Sequence, residues 1–254
     1  MVEFDSVDKS FEKVQALRNV SFRAEPGKVT GVLGPNGSGK TTLLRMISGL
    51  CVPDRGCVYA LGEEVNTATL NTTRARLGMV AHNTQLYGRL TPREYLRVYG
   101  ALYGLERHVC DERIERFSDR LDMGEFIDRR SEGFSAGQVV RVALARGLIH
   151  QPKILVLDEA TNGLDVHSVL TFRALVREYV EDFGATIIFT SHVLTEVERL
   201  CDEIVLIRNG QVRASGSVDA LLEATQTRSF EHAYVHLVET DAANDDARHA
   251  EALA

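Results

Sequence analysis

The sequence predicts an α/β fold in which a mainly parallel sheet carries antiparallel edge strands and receives an inserted block of helices. Three observations predict it. A short β-branched run, "KVTGVLG", ends on a glycine-rich loop that opens a helix. A second apolar run, "KILVLDE", ends on two acids. From about residue 86 to 150 the periodicity turns helical before the strand–helix alternation resumes.

The totals agree with an ordinary globular chain: 254 residues, 44% hydrophobic and 26% charged. No window approaches the run of about eighteen apolar residues that a membrane helix needs. The opening "MVEFDSVDKS" lacks the basic and apolar regions of a secretory signal, so a cytosolic chain able to dock on a membrane is expected. Net charge is −7, and residues 239–254 supply five acids against one arginine, or −4 of it. That acidic tail reads as disordered. The remainder is only mildly acidic, which argues against a nucleic-acid footprint. Cys51, Cys57, Cys110 and Cys201 form no CxxC pair, so reduced thiols are expected.

Taken in order, Val2 to Ser21 alternate apolar and polar like edge strands. "KVTGVLG" follows as a core strand, then "KTTLLRMISGL" as a helix with Leu43, Leu44 and Ile47 on one face. The chain returns to the sheet at Gly78 to Ala81. Thr91 as N-cap, Pro92 at the first helical position and Glu94 closing a capping box start the helical block. Polar breaks are expected at "RHVCDE" and "RRSEG". Beyond "KILVLDE", a helix from Val166 to Phe183 is capped by Asp165 and ended by Gly184. "ATIIFTSH" is another strand, and "DEIVLIRNGQVRASG" a hairpin turning at Asn209-Gly210.

"GPNGSGKTT", Gly34 to Thr42, fits G-x-x-x-x-G-K-[ST] between a strand and a helix. Backbone N–H groups of Gly34, Pro35's successors Asn36, Gly37, Ser38 and Gly39, and the helix start at Lys40, Thr41 and Thr42 can wrap phosphates. Lys40 would reach the β- and γ-phosphates, and the Thr41 hydroxyl would hold Mg²⁺. In "ILVLDE", Asp158 is placed to hold Mg²⁺ through water, and Glu159 to act as base toward the attacking water. His192 in "FTSH" lies just beyond a core strand, where it can contact the γ-phosphate. "FSAGQ" offers a second helix N-terminus: Ser135 caps it, and small Ala136 and Gly137 let an anion approach. It cannot fold back on phosphates the first loop encloses. The economical reading is that it caps the nucleotide of a second copy.

These motifs together resemble the nucleotide-binding subunit of ABC transporters. "GPNGSGKTT" is similar to the Walker A motif, "FSAGQ" to the LSGGQ signature, "ILVLDE" to Walker B, "NGLD" to the D-loop and "TSH" to the switch histidine, in family order over roughly residues 1–220. The resemblance implies a P-loop NTPase core of RecA-like type with an antiparallel edge and a helical subdomain at about 86–150. A C-terminal helical extension would cover 221–238. It implies ATP and Mg²⁺ as ligands, and two cassettes pairing head to tail around two ATPs, with Ser135, Gly137 and Gln138 serving the partner's nucleotide. Phe11 would stack on adenine, and Asp165 would lie at the dimer interface. It further implies peripheral attachment at the cytoplasmic face of the membrane, through a separate permease. "LTEVERLCDEIVLIRNG" and "SFEHAYVHL" are similar to ATPases of exporters. The segment "LYGRLTPREYLRVYG" would form the permease groove, with Arg89 and Arg93 as its charges. His232 and His236 have helical spacing but no third ligand, so they read as helix-surface residues.

Two departures stand out. Phe134 and Ala136 replace leucine and glycine in the signature, and His82 stands where the family has glutamine. Imidazole nitrogen is a poor magnesium partner, so His82 is expected to orient the attacking water; alternatively it spaces the loop while Asn83 or Gln85 reaches the metal. Histidine there, with "SAGQ", is similar to haem-exporter ATPases. A nucleic-acid or translation factor on the same cassette is disfavoured by the single cassette, the acidic tail and the absence of heptads. A non-catalytic module is disfavoured because Lys40, Asp158, Glu159 and His192 are all present. The partner could be a second copy or a related subunit.

Overall fold

The computed structural model describes residues 1–82 and 84–238; Asn83 and the acidic segment 239–254 lie outside the described residues. Strand β1 (Val2–Phe11) pairs antiparallel with β2 (Val14–Ala24), as the alternating pattern predicts. Strand β3 (Val29–Leu33) leads through the glycine loop into α1 (Lys40–Ile47), which buries Leu43, Leu44 and Ile47. Two edge strands follow that the sequence reading does not contain: β4 (Arg55–Ala60), paired with β1, and the two-residue β5 (Glu63–Glu64). Short α2 (Leu70–Ala75) precedes β6 (Leu77–Val80).

The helical block comprises α3 (Pro92–Leu102), α4 (Arg107–Arg120) and α5 (Ala136–Leu148). Thr91 caps α3 with the full reciprocal box, its hydroxyl accepting from Glu94 N–H. "RHVCDE" is no break: it opens α4, whose Cys110, Ile114, Phe117 and Ser118 are buried. That i, i+4, i+7 spacing makes an apolar stripe that outweighs the density of charge around it. The chain turns earlier, at Gly104, which has a φ of +74°.

Then come β7 (Ile154–Asp158), α6 (Val166–Phe183), β8 (Thr186–Thr190), α7 (Leu194–Leu200), β9 (Glu203–Arg208), β10 (Gln211–Gly216) and α8 (Val218–Thr225). A last helix covers 230–238. Asp165 caps α6 and Gly184 ends it in the left-handed region, as the sequence predicts. Asn209 and Gly210, with φ of +49° and +73°, make the β9–β10 turn.

Among the described residues one sheet runs β2-β1-β4-β5 and the other β10-β9-β3-β8-β7-β6, with β9, β3, β8, β7 and β6 parallel. Alternation along the parallel strands separates two cores. Leu155, Leu157, Ile187 and Phe189 face the helices α3 to α8. Ile154, Val156 and Ile188 face α1 and the antiparallel sheet. Both faces of the parallel sheet are therefore covered, and the open ends of its strands are left for the site.

Candidate nucleotide site

The loop after β3 is fixed from three sides. Gly210 N–H donates to the Ser38 carbonyl at 3.1 Å, and Arg18 N–H donates to the Gly210 carbonyl at 2.7 Å. The turn of the β9–β10 hairpin thus joins the loop to β2. Gly39 has a φ of +109°, and a Cβ there would lie 2.8 Å from the Ala16 carbonyl oxygen. Only glycine fits between the loop and β2 in that conformation. Gly34 is just as tightly placed against β9, since a Cβ would lie 2.0 Å from the Ile207 carbonyl oxygen. Pro35, Asn36 and Gly37 are exposed at the rim, and so is Thr41, while Thr42 is half-buried.

Lys40 is buried, and its ammonium donates to the carbonyls of Gly34 at 2.7 Å and Pro35 at 3.0 Å. Burial pushes its pKa below the ordinary lysine value, and the Glu159 and Asp158 carboxylates oppose that shift. The lysine of the loop and the two acids of β7 therefore share one electrostatic environment, although about 118 residues of chain separate Lys40 from Asp158. The buried Ser38 hydroxyl is without a hydrogen-bond partner. A loop of fixed N–H groups with a lysine and an unpaired hydroxyl suits an anionic phosphate chain.

At the carboxyl end of β7, Thr190 Oγ1 donates to Asp158 Oδ1 at 2.7 Å and accepts from Glu159 N–H at 3.1 Å. Glu159 takes a φ of +50°, an uncommon conformation for a residue with a side chain. Three nitrogens face its Oε2 atom. Asn162 Nδ2 donates to it at 2.7 Å, His82 Nδ1 lies at 3.3 Å and His192 Nδ1 at 3.7 Å. The structure thus brings His82 and His192 to Glu159 from separate loops. Asn162 and Thr190 lie within the quoted "NGLD" and "FTSH" but are given no role by the sequence; the turn spacing of Asn162 from Glu159, three residues, is the signal that could have assigned the first.

The second helix N-terminus is well formed. Ser135 Oγ accepts from Gln138 N–H at 3.3 Å, and Gln138 Oε1 accepts from Ser135 N–H at 3.0 Å. Phe134 packs edge-on against Phe126 at 5.3 Å between centroids, under the Arg129 guanidinium at 5.0 Å. The aromatic at 134, where the family pattern has leucine, is thus packed against a ring and a guanidinium. Asp165 accepts from Ser168 N–H and Oγ at 2.8 and 2.9 Å, and these bonds hold its pKa below the usual carboxylate value. Ser135, Gly137, Gln138, Asp165 and Ser168 line one surface cleft. The neighbours of the first loop, by contrast, are Ala16, Leu17, Ile207 and Gly210.

Phe11, 43% exposed at the tip of the β1–β2 hairpin, has the Lys9 ammonium 5.4 Å from its ring centroid. Arg93 is clamped by Asp128, with Nε at 2.6 Å, and by Glu115, so it belongs to the packing of the helical block and is not a free charge. Tyr87 and Arg89 are exposed before it. His232 is exposed, and among the described residues no cluster of three or more His, Cys, Asp and Glu side chains is placed to hold a metal ion. No helix of the described chain is long and apolar enough to cross a membrane.

A parallel sheet with a lysine-bearing glycine loop at one strand end, and an aspartate–glutamate pair at another, defines a P-loop nucleotide hydrolase. Comparison narrows this. Residues 17–162 match the ABC transporter family, and the chain belongs to it. It is 39% identical to the ABC transporter ATP-binding protein NatA of Bacillus subtilis (strain 168) over 223 residues, covering 87% of this chain and 90% of that protein. It is 35% identical to the Nod factor export ATP-binding protein I of Paraburkholderia xenovorans (strain LB400), covering 87% and 72%. The fold matches the dimeric post-hydrolysis state of the ATP-binding cassette MJ0796 bound to ADP and Pi with a TM-score of 0.77, at 25% identity and over 85% and 98% of the two chains. The chain is an ATP-binding subunit of an ABC transporter, and its activity is ATP hydrolysis.

Proposed function

We propose that this chain powers an exporter: two cassettes close head to tail around two ATPs, and hydrolysis drives a separate permease at the cytoplasmic face of the membrane. The observation that carries the reading is the Glu159 carboxylate, held by Asn162, faced by His82 and His192, and sharing its surroundings with Lys40. Lys40 gives up its two loop carbonyls to pair with the β- and γ-phosphates. Phe11 stacks on the adenine. Glu159 takes a proton from the water that attacks the γ-phosphate, and His192 donates to a γ-phosphate oxygen. His82 acts on the same carboxylate and orients the base or its water.

Magnesium fits the remaining donors, because the Thr41 hydroxyl and the Asp158 carboxylate offer only oxygen, and Thr190 already holds one Asp158 oxygen in place. When bound, it neutralises charge on the phosphate oxygens. Ser135, Gly137 and Gln138 close over the partner's γ-phosphate, and Asp165 sits beside them at the interface. The helical block at about 86–150 receives the permease, with Tyr87 and Arg89 at the groove. The pair is a homodimer in the simplest assembly, and the export direction is supported by the likeness to the Nod factor export protein.

Glu159→Gln keeps the shape of the side chain and removes proton acceptance, so hydrolysis falls by about 100-fold or more while ATP still binds. Steady-state phosphate release and nucleotide retention by the purified chain measure both. Wild-type turnover in this variant eliminates Glu159 as the base.

A further inference from the structure

We propose that Asn162 is the positioning residue of the base: its amide pins one oxygen of Glu159 and leaves the other to face the attacking water. The inference rests on the reading of Glu159 as the base.

Asn162 lies in the turn after β7, and its backbone N–H donates to the Glu159 carbonyl at 3.1 Å. That turn returns the side chain toward the residue three positions back, where Nδ2 donates to Oε2 at 2.7 Å. The distance is that of a bond to a charged acceptor. Of the groups around Oε2, the amide is the nearest; the imidazoles of His82 and His192 lie at 3.3 and 3.7 Å. Among the described residues no hydrogen bond is made to Glu159 Oε1.

Geometry explains why such a bond is needed. Glu159 sits at the first position beyond the strand, with a φ of +50°, and is anchored by its backbone: its N–H donates to the Thr190 carbonyl at 3.0 Å and to Thr190 Oγ1 at 3.1 Å. Thr190 therefore fixes the main chain but leaves the three side-chain torsions of the glutamate free. The histidines stand on two separate loops, after β6 and after β8, whereas Asn162 shares one tight turn with the glutamate. Asn162 alone among the three is fixed to the base by a short segment of chain, so it holds Oε2 whatever the neighbouring loops do. Pinning Oε2 narrows the orientations open to the carboxylate, and Oε1, to which no hydrogen bond is made among the described residues, is left for the attacking water.

Hydrolysis by the full chain tests this. Asn162→Ala lowers kcat by about 10-fold with KM for ATP unchanged, because the bond orients the base and does not touch the nucleotide. Asn162→Asp, the same shape without a donor, falls at least as far, whereas Asn162→Ser, a shorter donor, recovers part of the loss. In a Glu159→Gln background, Asn162→Ala changes nothing further, since it acts through Glu159. An Asn162→Ala chain with wild-type kcat, or with a fall equal in both backgrounds, overturns the proposal. Loss that appears in KM, or in the unfolding temperature, also overturns it, because that is the mark of a structural role. Glu159→Gln alone separates the two readings: if it turns over normally the base assignment fails, and if it is inactive while Asn162→Ala is normal only the positioning fails.

Discussion

His82 Nδ1 lies 3.3 Å from Glu159 Oε2, so the histidine that stands where the family pattern has glutamine faces the acid at the end of β7. A glutamine at 82 offers an amide N–H where histidine offers a ring nitrogen. His82→Gln is therefore expected to keep hydrolysis within about threefold, the size of a single net hydrogen bond. His82→Glu sets two carboxylates side by side, and repulsion at about 3 Å lowers turnover more than tenfold. Steady-state hydrolysis of both variants checks this; full activity in His82→Glu removes His82 from the chemistry.

Two chains are expected to build each site. Ser135→Arg fills the entry to the α5 N-terminus, whose hydroxyl otherwise accepts from Gln138 N–H, and leaves the chain's own loop intact. Lys40→Ala does the reverse. Each variant alone is inactive in a homodimer, but mixing them restores one intact composite site in every mixed dimer. Recovered hydrolysis on mixing is the expected outcome. Unchanged turnover in Ser135→Arg alone contradicts the shared site.

Charge reversal separates docking from folding in the helical block. Arg93→Glu sets a carboxylate against Asp128 and Glu115 and breaks an arginine clamp, so the unfolding temperature falls by about 2–4 °C. Arg89→Glu, at an exposed position, leaves that temperature unchanged and uncouples transport from hydrolysis. Thermal melts of the subunit, and transport by the assembled complex, distinguish the two. Normal transport in Arg89→Glu moves the groove elsewhere.

His150 makes the fold sensitive to acid. Its ring lies parallel to Tyr103 with centroids 3.6 Å apart, Nε2 lies 3.2 Å from the Leu77 carbonyl, and the buried Nδ1 is without a partner. Burial lowers its pKa from 6.5 to about 4, with a smaller contribution from Arg113. The unfolded chain thus binds the proton first. The contribution of His150 to stability is fully present above pH 6.5 and is lost as pH falls toward about 4. His150→Phe keeps the stack and loses the titration, so its denaturation midpoint changes less between these limits. Equal acid sensitivity in both chains excludes His150 as the cause.

Much of this molecule is legible in the sequence where the signal is local. The bounds of α6 follow from Asp165 and Gly184, the box of α3 from Thr91 and Glu94, and the last hairpin from Asn209-Gly210. Each is set by backbone conformations and caps within a few residues. The glycine loop and the acids ending β7 are legible for the same reason, since the phosphate and metal chemistry fixes residue type at short spacing. Strand β4 is not, because "CVPDRGC" carries the turn and the start of the strand together, and the strand forms only by pairing with β1. The opening of α4 is masked likewise: its charges dominate the composition, while four buried positions decide the helix.

The sequence by itself determined the core alternation of strands and helices, the family and the chemical types present at each strand end, but not the edge strands β4 and β5. Tertiary structure decided which of them meet. Glu159 is one carboxylate among many until β6, β7 and β8 lie side by side and bring His82 and His192 to the oxygen that Asn162, in its own turn, already holds. In the same way Lys40 meets the β7 acids only because β3, β8 and β7 are neighbours. Parallel pairing joins residues far apart along the chain, and its register comes from burying both faces of the sheet, a property of the packed whole that no short stretch carries.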